Sequence, residues 1–291
     1  MPELPEVETV VRGLNRLIVD KTITSVDCSN QKSFSVSKTE LNQLVINASV
    51  NSVVRRAKII IIHLSSGYSL LVHLKMTGQL VFRGSEDWGA GHPSDSLIGE
   101  LPDKSTRLII YFSDFSKLYF NDQRKFGWVK LFKTSELATL NTITKLGPEP
   151  LEPKFTDKLF IKNVSRRSKS NIKAVLLDQT VLSGIGNIYA DEALFNAGIH
   201  PESKVGDIPI EKLKQLKKEI VKVLQLSIEQ GGSTNKNYVN AEGKRGSYLD
   251  FANVYARTGL GCNICSRPIV KIRTAGRGTH ICTNCQKRYS R

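Results

Sequence analysis

The sequence contains no apolar run approaching the ~18 residues that a membrane-spanning helix needs, and its run Ile59–Ile62 stops at His63. Nor does it open like a secretory signal: MPELPEVETV is acidic and proline-bearing rather than basic and then apolar. Cysteine is scarce, with Cys28 the only one outside a tight cluster, which argues against a disulfide scaffold. Acidic residues are absent between Gly259 and Arg291, and Asp157 is the only one between Lys154 and Lys173. Over the whole 291 residues, 42 Lys and Arg outweigh 27 Asp and Glu, leaving a net charge of +15. These absences predict a cytoplasmic protein with no membrane association, long enough for two domains. The basic surplus, concentrated in the C-terminal half, points to a polyanion, because cations that displace condensed counterions from phosphates bind tightly.

Hydrophobic periodicity divides the chain. After Pro5, the residues Val7, Val10, Val11, Leu14, Leu17 and Ile18 repeat at helical spacing, with Glu6 and Glu8 complementing the dipole in the first turn. From Thr22 to Phe132 the pattern is extended, with strands expected at Val53–Leu64, Ser69–Leu74, Arg107–Phe112, Lys117–Phe120 and Gly127–Phe132. Several short strands after one helix predict a β-sandwich or barrel. The stretch Gly84–Lys104 reads as a long mobile loop, and proline-rich Leu146–Pro153 as a linker. Helical patterns follow at Lys169–Leu177, Ile188–Ala197 and Ile208–Ile228, and then a polar, Gly-rich loop at Gly231–Gly246.

Cys262-x-x-Cys265 and Cys282-x-x-Cys285, sixteen residues apart, form two knuckles whose four thiolates suit one tetrahedral Zn²⁺. Four sulfurs leave no open position for water, so the ion is structural, replacing a core that so short a segment could not build. His280 is left over and reads as a surface or phosphate-facing residue. Cys28 reads as an inert buried thiol.

Several short motifs occur in a fixed order. They are Pro2-Glu3-Leu4-Pro5-Glu6-Val7-Glu8-Thr9, Arg56-Ala57-Lys58, His73-Leu74-Lys75-Met76-Thr77-Gly78 and Arg124-Lys125-Phe126-Gly127. Leu146-Gly147-Pro148-Glu149-Pro150, Gly184-Ile185-Gly186-Asn187-Ile188-Tyr189 and the cysteine module with Gly276-Arg277-Gly278-Thr279 complete the series. Together they resemble the formamidopyrimidine-DNA glycosylase family across essentially the whole chain. Leu4 and the Arg-Lys-Phe-Gly element favour this branch over the related endonuclease VIII branch. The resemblance implies an α+β protein of two lobes. Residues 1–135 would be the catalytic N-terminal helix and β-sandwich, 136–153 a linker, 154–256 a helix–two-turns–helix lobe and 257–291 the zinc ribbon. It also implies a monomer that grips double-stranded DNA carrying oxidised bases.

On its own, Pro2 would merely help open a helix, but Pro5 already fills that role. The resemblance implies that removal of Met1 frees Pro2 as a secondary amine. An α-amino group titrates near ~8, so more of it is neutral and nucleophilic than a lysine. Attack on C1′ of the damaged nucleotide would release the base and leave an iminium, which acidifies C2′ and permits β,δ-elimination. Glu3 would be the acid/base and Glu6 a supporting carboxylate. Lys58 would contact phosphate and donate a proton, and Arg277 would support the second elimination. The target nucleotide must be flipped out of the stack. Met76, Arg124 and Phe126 would fill the hole, although Met76 and Phe126 taken singly read as core residues. His73, Lys173 and Asn187 would contact the nucleotide and its phosphates, Asn187 from the start of a helix. Two features depart from the pattern: Ser105 stands where many relatives carry a DNA-contacting histidine, and Gly84–Lys104 is longer than usual. The rival readings are an oxidised-pyrimidine glycosylase of the endonuclease VIII type and a non-catalytic zinc-ribbon DNA-binding protein.

Overall fold

The computed structural model describes residues 1–92, 94–232 and 248–290. They form two units: Met1–Thr144 with Gly231 and Gly232, and Lys145–Gln230 with 248–290. The loop read at Gly231–Gly246 therefore lies outside the described residues beyond its first two glycines.

The first unit opens with helix α1 (Leu4–Ile18), whose apolar stripe is buried against the sheets as its spacing predicts. Strand β1 (Ile23–Cys28) and a short helix α2 (Lys38–Leu44) follow, the latter started by Ser37 and Glu40 in a reciprocal capping box. The apolar run Val53–Leu64 is not one strand but two, β2 (Val50–Arg56) and β3 (Ile59–Leu64), because Ala57 takes φ +53° and reverses the chain. Then come β4 (Tyr68–His73), β5 (Gly78–Arg83), β6 (Asp87–Gly91), β7 (Thr106–Phe112), β8 (Lys117–Asp122), β9 (Trp128–Lys133) and a one-turn helix α3 (Asn141–Thr144).

Strand β6 corrects the reading of Gly84–Lys104 as a mobile loop. It pairs with β5 from Arg83↔Asp87 to Gln79↔Gly91 and buries Trp88 and Ala90 on its inner face. Two of the glycines that suggested a loop, Gly89 and Gly91, sit at the alternate positions of this strand, on the face opposite Trp88 and Ala90. The sheets run β1-β7-β8-β5-β6 and β2-β3-β4-β9, antiparallel throughout, and share one core with α1. Cys28, expected to be buried, is exposed at the end of edge strand β1.

The second unit is built from α4 (Asp157–Ser165), α5 (Ile172–Leu177), α6 (Asn187–Asn196) and α7 (Ile210–Glu229) around a separate apolar core. Helix α4 falls in the basic stretch noted for its charge, and Thr156 caps it by accepting from the Leu159 N–H. Helix α6 is buried over Tyr189–Phe195, so its sequence shows no amphipathic stripe. A hairpin of β10 (Val270–Thr274) and β11 (Arg277–Ile281) carries the second cysteine knuckle just beyond it. The fold is thus an N-terminal β-sandwich followed by a helical lobe with a zinc-finger region. No described helix is long and apolar enough to cross a membrane.

Candidate active site and nucleic-acid interface

The N-terminal segment is packed in rather than trailing. Pro2 is buried, and Glu3, which precedes α1, is only 4% exposed. The Glu3 N–H donates to Glu6 Oε2 at 2.7 Å, so Glu6 closes the start of the helix and fixes the backbone next to Pro2. Lys58, in the β2–β3 turn, is 5% exposed. Two acids and a lysine buried this deeply are rare outside functional or paired settings. With Met1 attached, the Pro2 nitrogen is an amide and holds no free pair for attack.

The electrostatics tie these groups to the loops at one end of the sandwich. His73, the last residue of β4, has its pKa pushed down to about 3 by burial, with the Lys75 and Lys58 ammonium groups adding to the shift. Its Nδ1 accepts from the Lys75 N–H at 3.0 Å, so the neutral ring presents its other nitrogen as a donor. His92 is lowered by burial and by the N-terminal ammonium, against an opposing pull from Asp122.

Two loops cross from sheet to sheet at this end. Residues 74–77 run from β4 to β5, and residues 123–127 run back from β8 to β9. Each turns on a left-handed lysine, Lys75 at φ +51° and Lys125 at φ +58°, and each projects the next side chain outward. Met76 is 37% and Phe126 55% exposed, so neither is the core residue that its type alone suggests. The Arg124 guanidinium lies 4.9 Å from the centre of the Phe126 ring, a cation–π contact. Glycine is obligatory at both loop ends: a Cβ on Gly78 would fall 2.3 Å from Leu74 O, and one on Gly127 would fall 2.7 Å from the Phe120 ring.

Asp122 joins the two loops. Its Oδ1 accepts from Thr77 Oγ1 and from the Arg124 N–H at 3.2 Å, and its Oδ2 accepts from the Gly127 N–H at 2.6 Å. Ser105, in the place of the expected histidine, is 3% exposed and takes part in a hydroxyl–carboxylate network with Asp103 and Ser96. Asp103 is held below the usual carboxylate range by the hydrogen bonds it accepts from Ser105, Ser96 and Thr106, which outweigh the opposing cost of burial.

In the second unit the four cysteine sulfurs lie within 4.8 Å of one another. Cys262 Sγ is 3.8 Å from Cys285 Sγ, and Cys265 Sγ is 3.5 Å from Cys282 Sγ. Zn–S bonds of ~2.3 Å arranged tetrahedrally put sulfurs roughly 3.8 Å apart, so this set fits one structural zinc ion. The Ile264 N–H points at Cys262 Sγ at 3.4 Å, as a knuckle requires.

Lys173, expected near the damaged nucleotide and its phosphates, is held by partners within its own unit. It is wholly buried, its Nζ 2.6 Å from Asp191 Oδ1 and 2.7 Å from Thr279 Oγ1. The second oxygen of Asp191 accepts from the His280 N–H at 2.9 Å. His280 is likewise buried, edge-on to Tyr255, and not a surface residue. Asn187 donates to Gly278 O at 3.0 Å, so its amide grips the same hairpin. Among these residues Arg277 is exposed at the hairpin tip. Next to Asp191, buried Glu192 accepts from the Asn253, Val254 and Tyr255 N–H groups at 2.8, 2.9 and 2.8 Å, and burial raises its pKa. Sequence reasoning missed Asp122, Asp191 and Glu192. The signal for the last two was adjacent acids inside an otherwise apolar helix.

Three family models match in sequence. The formamidopyrimidine-DNA glycosylase N-terminal domain covers residues 1–129, the H2TH domain of the same enzymes covers 146–239, and a zinc finger found in FPG and IleRS covers 259–288. The formamidopyrimidine-DNA glycosylase of Desulforamulus reducens is 38% identical over 290 residues, 99% of each chain. Two structures of the Lactococcus lactis enzyme, one with DNA containing N7-benzyl-Fapy-dG and one with DNA containing an oxidised pyrimidine, each superpose with TM-score 0.86. In both, identity is 33% and coverage is 99% of this chain and 100% of that one. With the same three modules in the same order and full-length similarity in sequence and fold, the chain belongs to the formamidopyrimidine-DNA glycosylase family: it is a DNA glycosylase of oxidised purines with lyase activity at the abasic site.

Proposed function

We propose that Pro2, once Met1 is removed, is the nucleophile of this glycosylase, and that Glu3, Lys58 and Arg277 complete its catalytic set. The observation that carries the reading is the burial of Glu3 and Lys58, two residue types that seldom leave water without a task, in the unit whose N-terminal segment is packed in place. The Pro2 nitrogen forms a bond to C1′ as the bond from C1′ to the damaged base breaks. Glu3 gives a proton to the sugar ring oxygen as the ring opens. The resulting iminium draws electrons from C2′, so loss of a C2′ proton expels the 3′ phosphate, and a second elimination expels the 5′ phosphate. Lys58 supplies a proton during elimination, and Arg277 offers two parallel N–H donors to a departing phosphate.

Met76, Arg124 and Phe126 enter the duplex where the flipped nucleotide was, supported by their outward projection from two adjoining loops. His73 serves as a neutral N–H donor and Asn187 stands at a helix start near the DNA backbone. The enzyme acts as a cytoplasmic monomer.

Borohydride reduction on an oligonucleotide containing 8-oxoguanine tests the reading. A covalent complex whose adduct maps to Pro2 is the expected result; no complex, or an adduct on a lysine, would overturn it. The same assay on oxidised pyrimidines measures the alternative preference, since the Lactococcus lactis relative has been crystallised with such DNA.

A further inference from the structure

We propose that Asp122, together with Thr77, is a positioning device that holds the Met76 loop and the Arg124–Phe126 loop as one rigid probe. The inference rests on the reading that Met76, Arg124 and Phe126 enter the DNA. Nothing in the sequence linked Asp122 to that task, because Thr77 and Asp122 are 45 positions apart along the chain and meet only in space, where the two loops start from paired strand ends.

 The β5–β8 ladder pairs Gly78 with Asp122, and the β4–β9 ladder pairs His73 with Trp128, so both loops begin and end side by side.

A loop of four or five residues that reverses through a left-handed lysine has few contacts of its own to hold it. Here the support comes from one fully buried carboxylate. Its two oxygens take the Thr77 hydroxyl from the first loop and the Arg124 and Gly127 N–H groups from the second. The Arg124 N–H also lies 3.0 Å from Thr77 Oγ1, closing a three-membered network. Arg107 Nε donates to the Asp122 carbonyl at 2.9 Å and brings a positive charge beside the buried acid. The bonds to the Arg124 and Gly127 N–H groups fix the backbone on either side of Phe126, and none of these bonds engages the Met76, Arg124 or Phe126 side chain. The consequence is functional: a wedge that must replace a stacked base works only if its two halves cannot move apart, because the cost of unstacking is recovered at one geometry.

The test compares Thr77→Ala and Thr77→Ser, which perturb the network without emptying the buried site, alongside Asp122→Asn. Excision of 8-oxoguanine from duplex DNA is measured against cleavage of a preformed abasic site, where no base has to be unstacked. Loss of a hydrogen bond to a charged group predicts that Thr77→Ala lowers kcat/KM for excision about tenfold or more. Abasic-site cleavage should fall much less, and Thr77→Ser should restore excision. Equal losses in both reactions, or a serine variant no better than alanine, would overturn the inference. Should Asp122→Asn fail to fold, the threonine pair still decides. Phe126→Ala and Met76→Ala separate the two levels of argument: normal excision in both removes the probe reading and this inference with it. Impaired excision there combined with wild-type behaviour in Thr77→Ala removes only the inference.

Discussion

His73 shows how a residue's surroundings decide what it offers to DNA. An imidazole titrates near ~6.5 when free, but here burial with two ammonium groups nearby brings it down to about 3. Between those values the unfolded chain binds more protons than the folded one, so the stabilisation is complete above ~6.5 and is lost as the pH falls toward the folded value. Over pH 7 to 5 this group costs the wild type at most about 2 kcal/mol. Urea unfolding should therefore show a steeper acid loss for wild type than for His73→Gln, and equal losses would mean that the ring titrates normally. A neutral ring also means that the His73 contribution to DNA binding should stay constant from pH 6 to 8.

At the scale of elements, α6 anchors the zinc module through its two consecutive acids. Asp191 holds the hairpin with Lys173, and Glu192 holds the segment leading into it. Breaking a buried pair by removing one partner costs about 3–5 kcal/mol, because it strands a charge. Lys173→Met should be destabilised on that scale, and Lys173→Met/Asp191→Leu should recover much of the loss; denaturant unfolding with a zinc assay checks both. The hairpin tip offers a milder change. Ala275 and Gly276 join Thr274 to Arg277 with φ +52° and +72°, and asparagine tolerates that conformation better than alanine. Ala275→Asn should add about 0.5–1 kcal/mol of stability and leave zinc content unchanged.

These elements also show what could be read in advance. Helices α1 and α7 were legible because each buries one face and so keeps a helical stripe in its sequence. The cysteine knuckles were legible because zinc dictates their spacing. Strand β6 was hidden by its glycines, and the tasks of Lys173, Asp191 and Asp122 were hidden because a buried charge declares itself only through partners distant in sequence.

The whole molecule carries its +15 charge on two units, each with an apolar core of its own. The zinc module adds a third cluster of only a few apolar residues with the cysteines among them, too small to stand without the metal. Removing zinc should therefore release the Arg277 hairpin and leave the sandwich that holds Pro2 folded. Each phosphate contact contributes about −0.9 to the slope of log K against log salt, so chelation should weaken DNA binding and flatten that slope by about 1 or more. At DNA concentrations that saturate the metal-free protein, borohydride should still trap an adduct on Pro2, because the nucleophile and its buried acid belong to the other unit. Fluorescence anisotropy over a salt series, with and without chelator, measures the first effect. Unchanged affinity and slope in zinc-free protein would show that the ribbon does not grip DNA and that the basic C-terminal segment serves another purpose.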